Sequence, residues 1–386
     1  MTDSTRLYTN PQKLGFGLMR LPRRGLSIDI EQTKKMVDLF LERGFTYFDT
    51  AFIYPGSEDA VRKALIERHP RESFTLATKL NAAMVLTEKQ AKNEFETSLR
   101  RTGAGYFDYY LLHSLMTNNY KKYDRYGLWD FVAEKKEAGL IKHAGFSFHA
   151  DPVLLDEILT AHPEVDFVQL QINYADWENP GIASRANYEV ARKHGKQIVV
   201  MEPVKGGNLA NPPKAVKELF RKVNPDASPA SWAIRFVASL DGILAVLSGM
   251  SNLQQTEDNT SYMQHFQPLN DEEQKAIQEA QRILGHSASI PCTACHYCTD
   301  GCPKQIPIPE IFHAMNKHLA NGQTKEAKEE YQEVVDAAAR EAKEPAKLQT
   351  RHMASDCIVC RQCERQCPQH IRITDELKRA AQTLEV

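Results

Sequence analysis

The sequence predicts an α/β protein: a closed (β/α)8 barrel over residues 1–284, followed by a small α-helical module over residues 285–386. Three observations predict it. From residue 14 to about 260, short β-rich runs alternate with amphipathic helical stretches, the rhythm of parallel βα units. Eight such runs fall within about 250 residues, which suits a closed barrel better than an open sheet. After about residue 265 the rhythm stops, and all eight cysteines lie in two tight groups near the end of the chain.

The runs, in order, are LGFGLMRL at 14, TYFDTA at 46, FTLATK at 74, FDYYLLH at 107, IKHAGFSF at 141, DFVQLQI at 166, QIVVMEPV at 197 and ILAVLSG at 243. Between them, EQTKKMVDLFLERG and EKQAKNEFETSLRRTG read as helices that end on Gly44 and Gly103, because glycine accepts the left-handed backbone that closes a helix. The alternative is a doubly wound nucleotide-binding sheet, which would want a glycine fingerprint between its first strand and helix. Here Gly15-Phe16-Gly17 lies inside the strand run, and Arg20 stands where the third glycine should be. In the C-terminal module the stretch Pro307 to Arg351 is rich in Ala, Glu and Lys. EIFHAMNKHLANG and KEAKEEYQEVVDAAAREAKE read as helices there, the second a solvated amphipathic helix because sustained apolar heptads are missing.

Composition narrows the function classes. Hydrophobic residues make up 42% and charged residues 25%, which is globular and argues against a disordered or fibrous chain. With 48 basic against 50 acidic side chains the net charge is -2, so there is no basic field to hold a phosphate backbone and nucleic-acid binding is not expected. The N-terminal residues show no charged start followed by an apolar run, and no stretch approaches the roughly 18 apolar residues that span a bilayer. A cytoplasmic protein without a membrane anchor is expected, and cysteines grouped this tightly are expected to be metal ligands, since a disulfide framework spreads them out.

Active sites of barrels lie at the C-terminal ends of the strands, so titratable residues there are the first candidates. Asp49 closes the second run, Tyr54 follows in the loop, Lys79 closes the third run and His113 the fourth. A phenol near pH 10 is a poor acid, but a neighbouring ammonium favours the phenolate. Lys79 can supply that charge, Asp49 can hold Lys79, and His113 can donate a hydrogen bond to a carbonyl oxygen. These are the parts for adding hydride to a carbonyl. The plainer reading is that Asp49 caps a loop, Tyr54 packs, Lys79 is solvated and His113 is a satisfied core histidine.

The motifs Asp49-Thr50-Ala51-x-x-Tyr54, Gly56-Ser57-Glu58, Thr78-Lys79 and Tyr110-Leu111-Leu112-His113 resemble, in order and spacing, those of the aldo-keto reductase family over residues 10 to 265. The resemblance implies a barrel enzyme that binds NADPH (or NADH) across its strand ends, with Tyr54 as general acid-base, Lys79 and Asp49 tuning it, and His113 orienting the substrate carbonyl. It also implies cofactor contacts. Gln169 matches the carboxamide-binding glutamine and Ser147 the serine of a Gly-x-Ser-Asn motif whose asparagine is here Phe148. Met201 stands where many members stack an aromatic ring on the nicotinamide. Lys205, followed by Gly206-Gly207, and Gly249 belong to the loops after the seventh and eighth runs, where barrels cradle phosphates. Gln255 replaces an arginine frequent in NADPH-using members, and Asn259 matches an adenine contact.

The cysteines form two copies of C-x2-C-x2-C-x3-C-P: Cys292, Cys295, Cys298 and Cys302 before Pro303, and Cys357, Cys360, Cys363 and Cys367 before Pro368. Structural zinc uses paired C-x2-C units but has no need of a third evenly spaced thiolate, a fourth and a proline. The spacing predicts two 4Fe-4S clusters, with the fourth cysteine of each copy ligating the other cluster. The wide gap between copies resembles the α-helical ferredoxin domains, and the whole chain resembles an iron-sulfur branch of the aldo-keto reductases. Trp177, Tyr174 and Tyr120 on barrel loops are expected either to meet this module or simply to pack the loops. The expected function is a carbonyl/alcohol oxidoreductase acting on a small molecule, its clusters relaying electrons to or from a redox partner, either a ferredoxin or a flavoprotein, or a bound substrate. The alternative is a redox-sensing or electron-transfer protein that binds nicotinamide without turnover, which would need neither Tyr54 nor Lys79.

Overall fold

The computed structural model describes residues 12–25, 27–285, 289–299, 301–341 and 352–385. Among them, eight parallel strands close into a barrel: β1 (Leu14–Gly17), β2 (Tyr47–Asp49), β3 (Thr75–Leu80), β4 (Phe107–Leu115), β5 (Ile141–Phe148), β6 (Phe167–Gln171), β7 (Gln197–Met201) and β8 (Ile243–Ser248). β1 pairs with both β2 and β8, which completes the ring. Every run expected from the sequence supplies one strand. The first leaves the sheet early because Leu18–Arg20 winds into a 3-10 turn. The seventh stops at Met201 because Glu202 takes a left-handed φ of 58°.

Helices α1 (Ile30–Glu42) and α2 (Glu88–Thr102) show how local chemistry sets the boundaries. The Asp29 carboxylate accepts the Gln32 N–H at the start of α1. Thr87 and Gln90 form a reciprocal capping box at the start of α2. The glycines expected to end them do so, Gly44 at φ 85° and Gly103 at φ 68°.

Two-residue alternation then decides what points into the barrel. Tyr47, Ala77, Tyr109, Leu111, Phe167, Val199 and Leu247 form one buried interior cluster, while Phe48, Leu76, Leu112 and Val168 belong to the larger core shared with the helices. Counting two residues onward from Tyr47, Ala77, Leu111, Phe167 and Val199 gives Asp49, Lys79, His113, Gln169 and Met201. The candidate residues are therefore the next inward layer, at the mouth where the strands end.

The residues cluster into two compact units, one formed by Met1–Val204 with Phe220–Ile277 and the other by Lys205–Leu219 with Gln278–Val386. In the second, helices Ile308–Asn321, Thr324–Glu341 and Ile373–Leu384 enclose Ile311, Phe312, Met315, Tyr331 and Leu377 together with Cys298, Cys363 and Cys367. The part of the expected helix beyond residue 341 lies outside the described residues, as does the N-terminal segment before residue 12. Among the described residues no helix is long and apolar enough to cross a membrane.

Gly145 on β5 is a close-approach glycine: a Cβ there would lie 2.6 Å from the Phe167 carbonyl oxygen and 2.8 Å from its ring. Gly145→Ala is therefore expected to cost about 1–3 kcal/mol, the range for overpacking, as a lower urea midpoint followed by tryptophan fluorescence. An unchanged midpoint would contradict this packing.

Candidate functional site

The mouth of the barrel gathers the four expected residues. The Lys79 Nζ donates to Asp49 Oδ1 at 2.5 Å and to the Thr50 carbonyl at 2.7 Å. It also lies 5.2 Å from the centre of the Tyr54 ring. The Tyr54 and His113 rings meet edge to face with centroids 5.8 Å apart. Asp49, Lys79 and His113 are buried, whereas Tyr54 is partly exposed, so the phenol borders the open side. Burial pushes Lys79 down and Asp49 up from their ordinary ranges, and their contact holds each partway back. Burial, and after it the Lys79 and His149 charges, hold His113 well below the usual histidine range. It is thus a neutral imidazole, suited to donating one hydrogen bond without carrying charge.

The end of β4 is bent to achieve this. Its pairing with β5 shifts between Leu112 and Leu115, and Ser114 takes a left-handed φ of 57°, a conformation non-glycine residues adopt at a cost and that clusters at functional sites. Three contacts hold the bend: the Tyr123 hydroxyl on the His113 carbonyl, the Asn119 amide on the Ser114 carbonyl at 2.8 Å, and the Ser114 N–H on Ser147 Oγ at 2.6 Å.

Ser147 and Gln169 are register partners on β5 and β6. Gln169 is buried, and its Oε1 has no hydrogen-bond partner among the described residues. Ser147 accepts from Ser114 and keeps its own hydroxyl proton to donate. A primary carboxamide needs one acceptor for its NH2 and one donor for its oxygen, so this pair fits the carboxamide of a nicotinamide. Met201 pairs with Gln171 at the end of β7. In the loop after β8, Gly249 leaves room beside the Arg20 chain, whose Cδ would lie 3.3 Å from an added Cβ. Arg20 escaped the sequence reading; only its place just after β1 marks it. The Gln255 side-chain Oε1 accepts the Ser251 N–H at 2.7 Å. Asn259 is spent internally, donating to Ser248 Oγ at 2.7 Å and accepting from the Tyr262 hydroxyl at 2.8 Å. Both shape the loop. Lys205 lies in the second unit, where Asn208 donates to the Cys292 carbonyl at 3.2 Å and Gly206 packs on Thr293. Tyr174 packs on Phe220 and Phe236, and Trp177 on Tyr188 and Phe236.

The cysteines line two cavities. One is walled by Cys302, Cys357, Cys360 and Cys363, the other by Cys292, Cys295, Cys298 and Cys367, and Ile308 borders both. The fourth cysteine of each motif has crossed to the other's cavity. The two loops are conformational copies: Ala294 and His296 take φ 50° and 63°, and Val359 and Arg361, at the same offsets, take 57° and 58°. In both copies the N–H two residues after the first cysteine donates to that sulfur, from Ala294 at 3.4 Å to Cys292 and from Val359 to Cys357. Burial raises the thiols, Cys363 up to about 12, and at Cys298 the neighbouring sulfurs add to it, so four thiolates coexist here only around a cationic centre. Among the described residues no three donors converge as they would for a single metal ion. Two sulfur-lined cavities with N–H donors to sulfur fit cubane iron-sulfur clusters better than mononuclear zinc.

Two buried carboxylates beneath Lys79 were not singled out for a role. Glu58 accepts from Thr78 Oγ1 at 2.9 Å and faces Arg101 at 3.3 Å. Glu94 accepts the Asn81 N–H at 2.7 Å, and burial raises it to about 8 from an ordinary 4.5. The folded chain therefore holds a proton that the unfolded chain releases between those values, so Glu94 makes stability fall as pH rises from about 4.5 to 8, by up to about 4 kcal/mol. Glu94→Gln is expected to flatten that fall in urea titrations at pH 5 and 8; equal slopes for both proteins would contradict the assignment.

Comparison with known proteins agrees with this geometry. The model of the aldo/keto reductase family matches residues 13–282, and that of the 4Fe-4S dicluster domain matches residues 291–372. An aldo-keto reductase of Mycolicibacterium vanbaalenii is 28% identical over 224 residues, covering 57% of this chain and 73% of the relative. The 9,11-endoperoxide prostaglandin H2 reductase of Trypanosoma cruzi is 28% identical over 228 residues, 56% of this chain and 74% of its own. Among solved structures, the holo form of an aldo-keto reductase from Bacillus halodurans superposes with a TM-score of 0.56 at 24% identity, covering 69% of this chain and 91% of that one. An aldo-keto reductase from Klebsiella pneumoniae in complex with NADPH does so with the same TM-score at 18% identity, covering 69% and 90%. With a family match over most of its length, the chain belongs to the aldo/keto reductase family and is an oxidoreductase of that type.

Proposed function

We propose that this enzyme interconverts a carbonyl and an alcohol on a small molecule at the barrel mouth, using NADPH, and that two 4Fe-4S clusters in its second unit exchange electrons, in either direction, with a partner redox protein. The observation that carries the first part is the convergence of Lys79, Asp49, Tyr54 and His113 on one mouth. Reduced nicotinamide supplies hydride when bound. The protein's own work is to bind, orient and protonate. Ser147 and Gln169 would hold the carboxamide and Met201 would flank the nicotinamide, while neutral His113 is placed to donate to the substrate oxygen. Tyr54 delivers the proton as charge grows on that oxygen, and the Lys79 ammonium, fixed by Asp49, stabilises the phenolate left behind.

For the second part, support comes from the two crossed cysteine quartets and from Ile308 as their shared wall, which makes a short chain of centres. Such clusters suit the reducing cytoplasm. For the cofactor, Arg20 beside Gly249 adds a cation near the expected phosphate loop, and this favours NADPH despite Gln255.

Tyr54→Phe is expected to lower kcat about 10²- to 10⁴-fold, the usual contribution of a positioned acid, with the Kd for NADPH by fluorescence unchanged; wild-type turnover would refute the role. NADPH is expected to bind more tightly than NADH in the same titration, and the reverse order would overturn the preference. Anaerobic analysis should find about eight irons per chain, whereas stoichiometric zinc without iron would reject the clusters.

A further inference from the structure

The two sulfur cavities differ in what surrounds them. The one walled by Cys292, Cys295, Cys298 and Cys367 is edged by Phe312, Ile371 and His296. The other, walled by Cys302, Cys357, Cys360 and Cys363, has Lys304 and Arg361 on its wall, where the first has neither lysine nor arginine; no carboxylate lines either cavity. The side chain of Arg361 is 67% exposed; its nearest carboxylate, Glu364 at 3.9 Å, is engaged through its other oxygen by the Thr374 N–H and hydroxyl. Between the first two cysteines of this motif, Ile358 and Val359 are 56% and 58% exposed. Few large hydrophobic side chains are this exposed among the described residues, and Val359 is β-branched in a left-handed backbone that costs energy. The turn that aims the Val359 N–H at the Cys357 sulfur also turns its side chain, with that of Ile358, to solvent.

An apolar tip rimmed by cations beside a redox centre is the form of a transient docking site, with apolar contact at the middle and charge steering the approach. Resting on the relay reading above, we infer that the cluster held by Cys302, Cys357, Cys360 and Cys363 is the partner-facing one. Its partner is a small acidic one-electron carrier protein that seats on Ile358 and Val359 while its carboxylates meet Lys304 and Arg361. In the exchange one electron leaves the carrier's redox centre and one enters the four-iron cluster; no bond or proton moves.

The test uses the full chain with clusters loaded and a reduced acidic plant-type ferredoxin as donor, mixed anaerobically at low ionic strength while cluster absorbance is followed. Binding is read separately by calorimetry with the gallium-substituted, redox-inert form of that ferredoxin. The double variant Lys304→Glu/Arg361→Glu, with iron content equal to wild type, is expected to slow the second-order step at least about tenfold, the scale of electrostatic steering, and to lose its salt dependence. Lys304→Gln/Arg361→Gln should fall between. Ile358→Ser should weaken gallium-ferredoxin binding severalfold. Lys325→Glu, on an exposed side chain of another helix, should change neither. Rates and affinities that ignore the charge reversal while wild type still accepts electrons would overturn the surface assignment alone. Wild-type clusters that take electrons from dithionite but from neither this ferredoxin nor a flavodoxin would overturn the relay reading and the surface with it.

Discussion

The candidate site depends on one buried contact, the Lys79 ammonium on the Asp49 carboxylate. Taking both charges out of water is costly, and only close geometry with further hydrogen bonds offsets the loss. The barrel supplies both. Inward alternation brings both side chains into the barrel from neighbouring strands, Lys79 two residues beyond the register partner of Asp49, and the Thr50 carbonyl accepts a second hydrogen bond from Lys79. Glu58, held by Thr78 and Arg101, adds negative charge nearby. With the ammonium fixed, it can stabilise a Tyr54 phenolate and adds to the burial that keeps His113 neutral.

Much of this was legible in the chain. Strand rhythm gave the barrel, because each run is short, β-rich and followed by a capped helix, and strand-end positions gave Asp49, Lys79 and His113, because period two fixes which side chains enter the barrel. The cysteine spacing carried even the crossing of Cys302 and Cys367. What escaped depends on distances between elements. Arg20 and Gly249 are far apart in sequence and adjacent only once β1 and β8 pair. Glu94 is one carboxylate among several on an amphipathic helix, and only burial against Asn81 distinguishes it. The internal partners of Asn259 follow from how its helix returns to the end of β8. The left-handed turns at Ser114 and Val359 have no signature either, since neither residue favours that backbone.

In the proposed function two chemistries share one chain. The barrel mouth suits a paired transfer, hydride to carbon and proton to oxygen, while each sulfur cavity suits single electrons. The protein's own architecture keeps them in different compact units, each with its own way of controlling charge: an ion pair in one, backbone N–H groups and cationic side chains in the other.

Label transfer tests the central claim most directly. With NADPH deuterated at both C4 positions and the carbonyl compound that turns over fastest in an anaerobic panel of aldehydes and ketones, the product alcohol is examined by mass spectrometry and NMR. Hydride transfer at the mouth predicts one deuterium on the carbinol carbon for each cofactor oxidised. Alcohol carrying solvent hydrogen at that carbon would contradict it, because electrons and protons would then have reached the substrate separately.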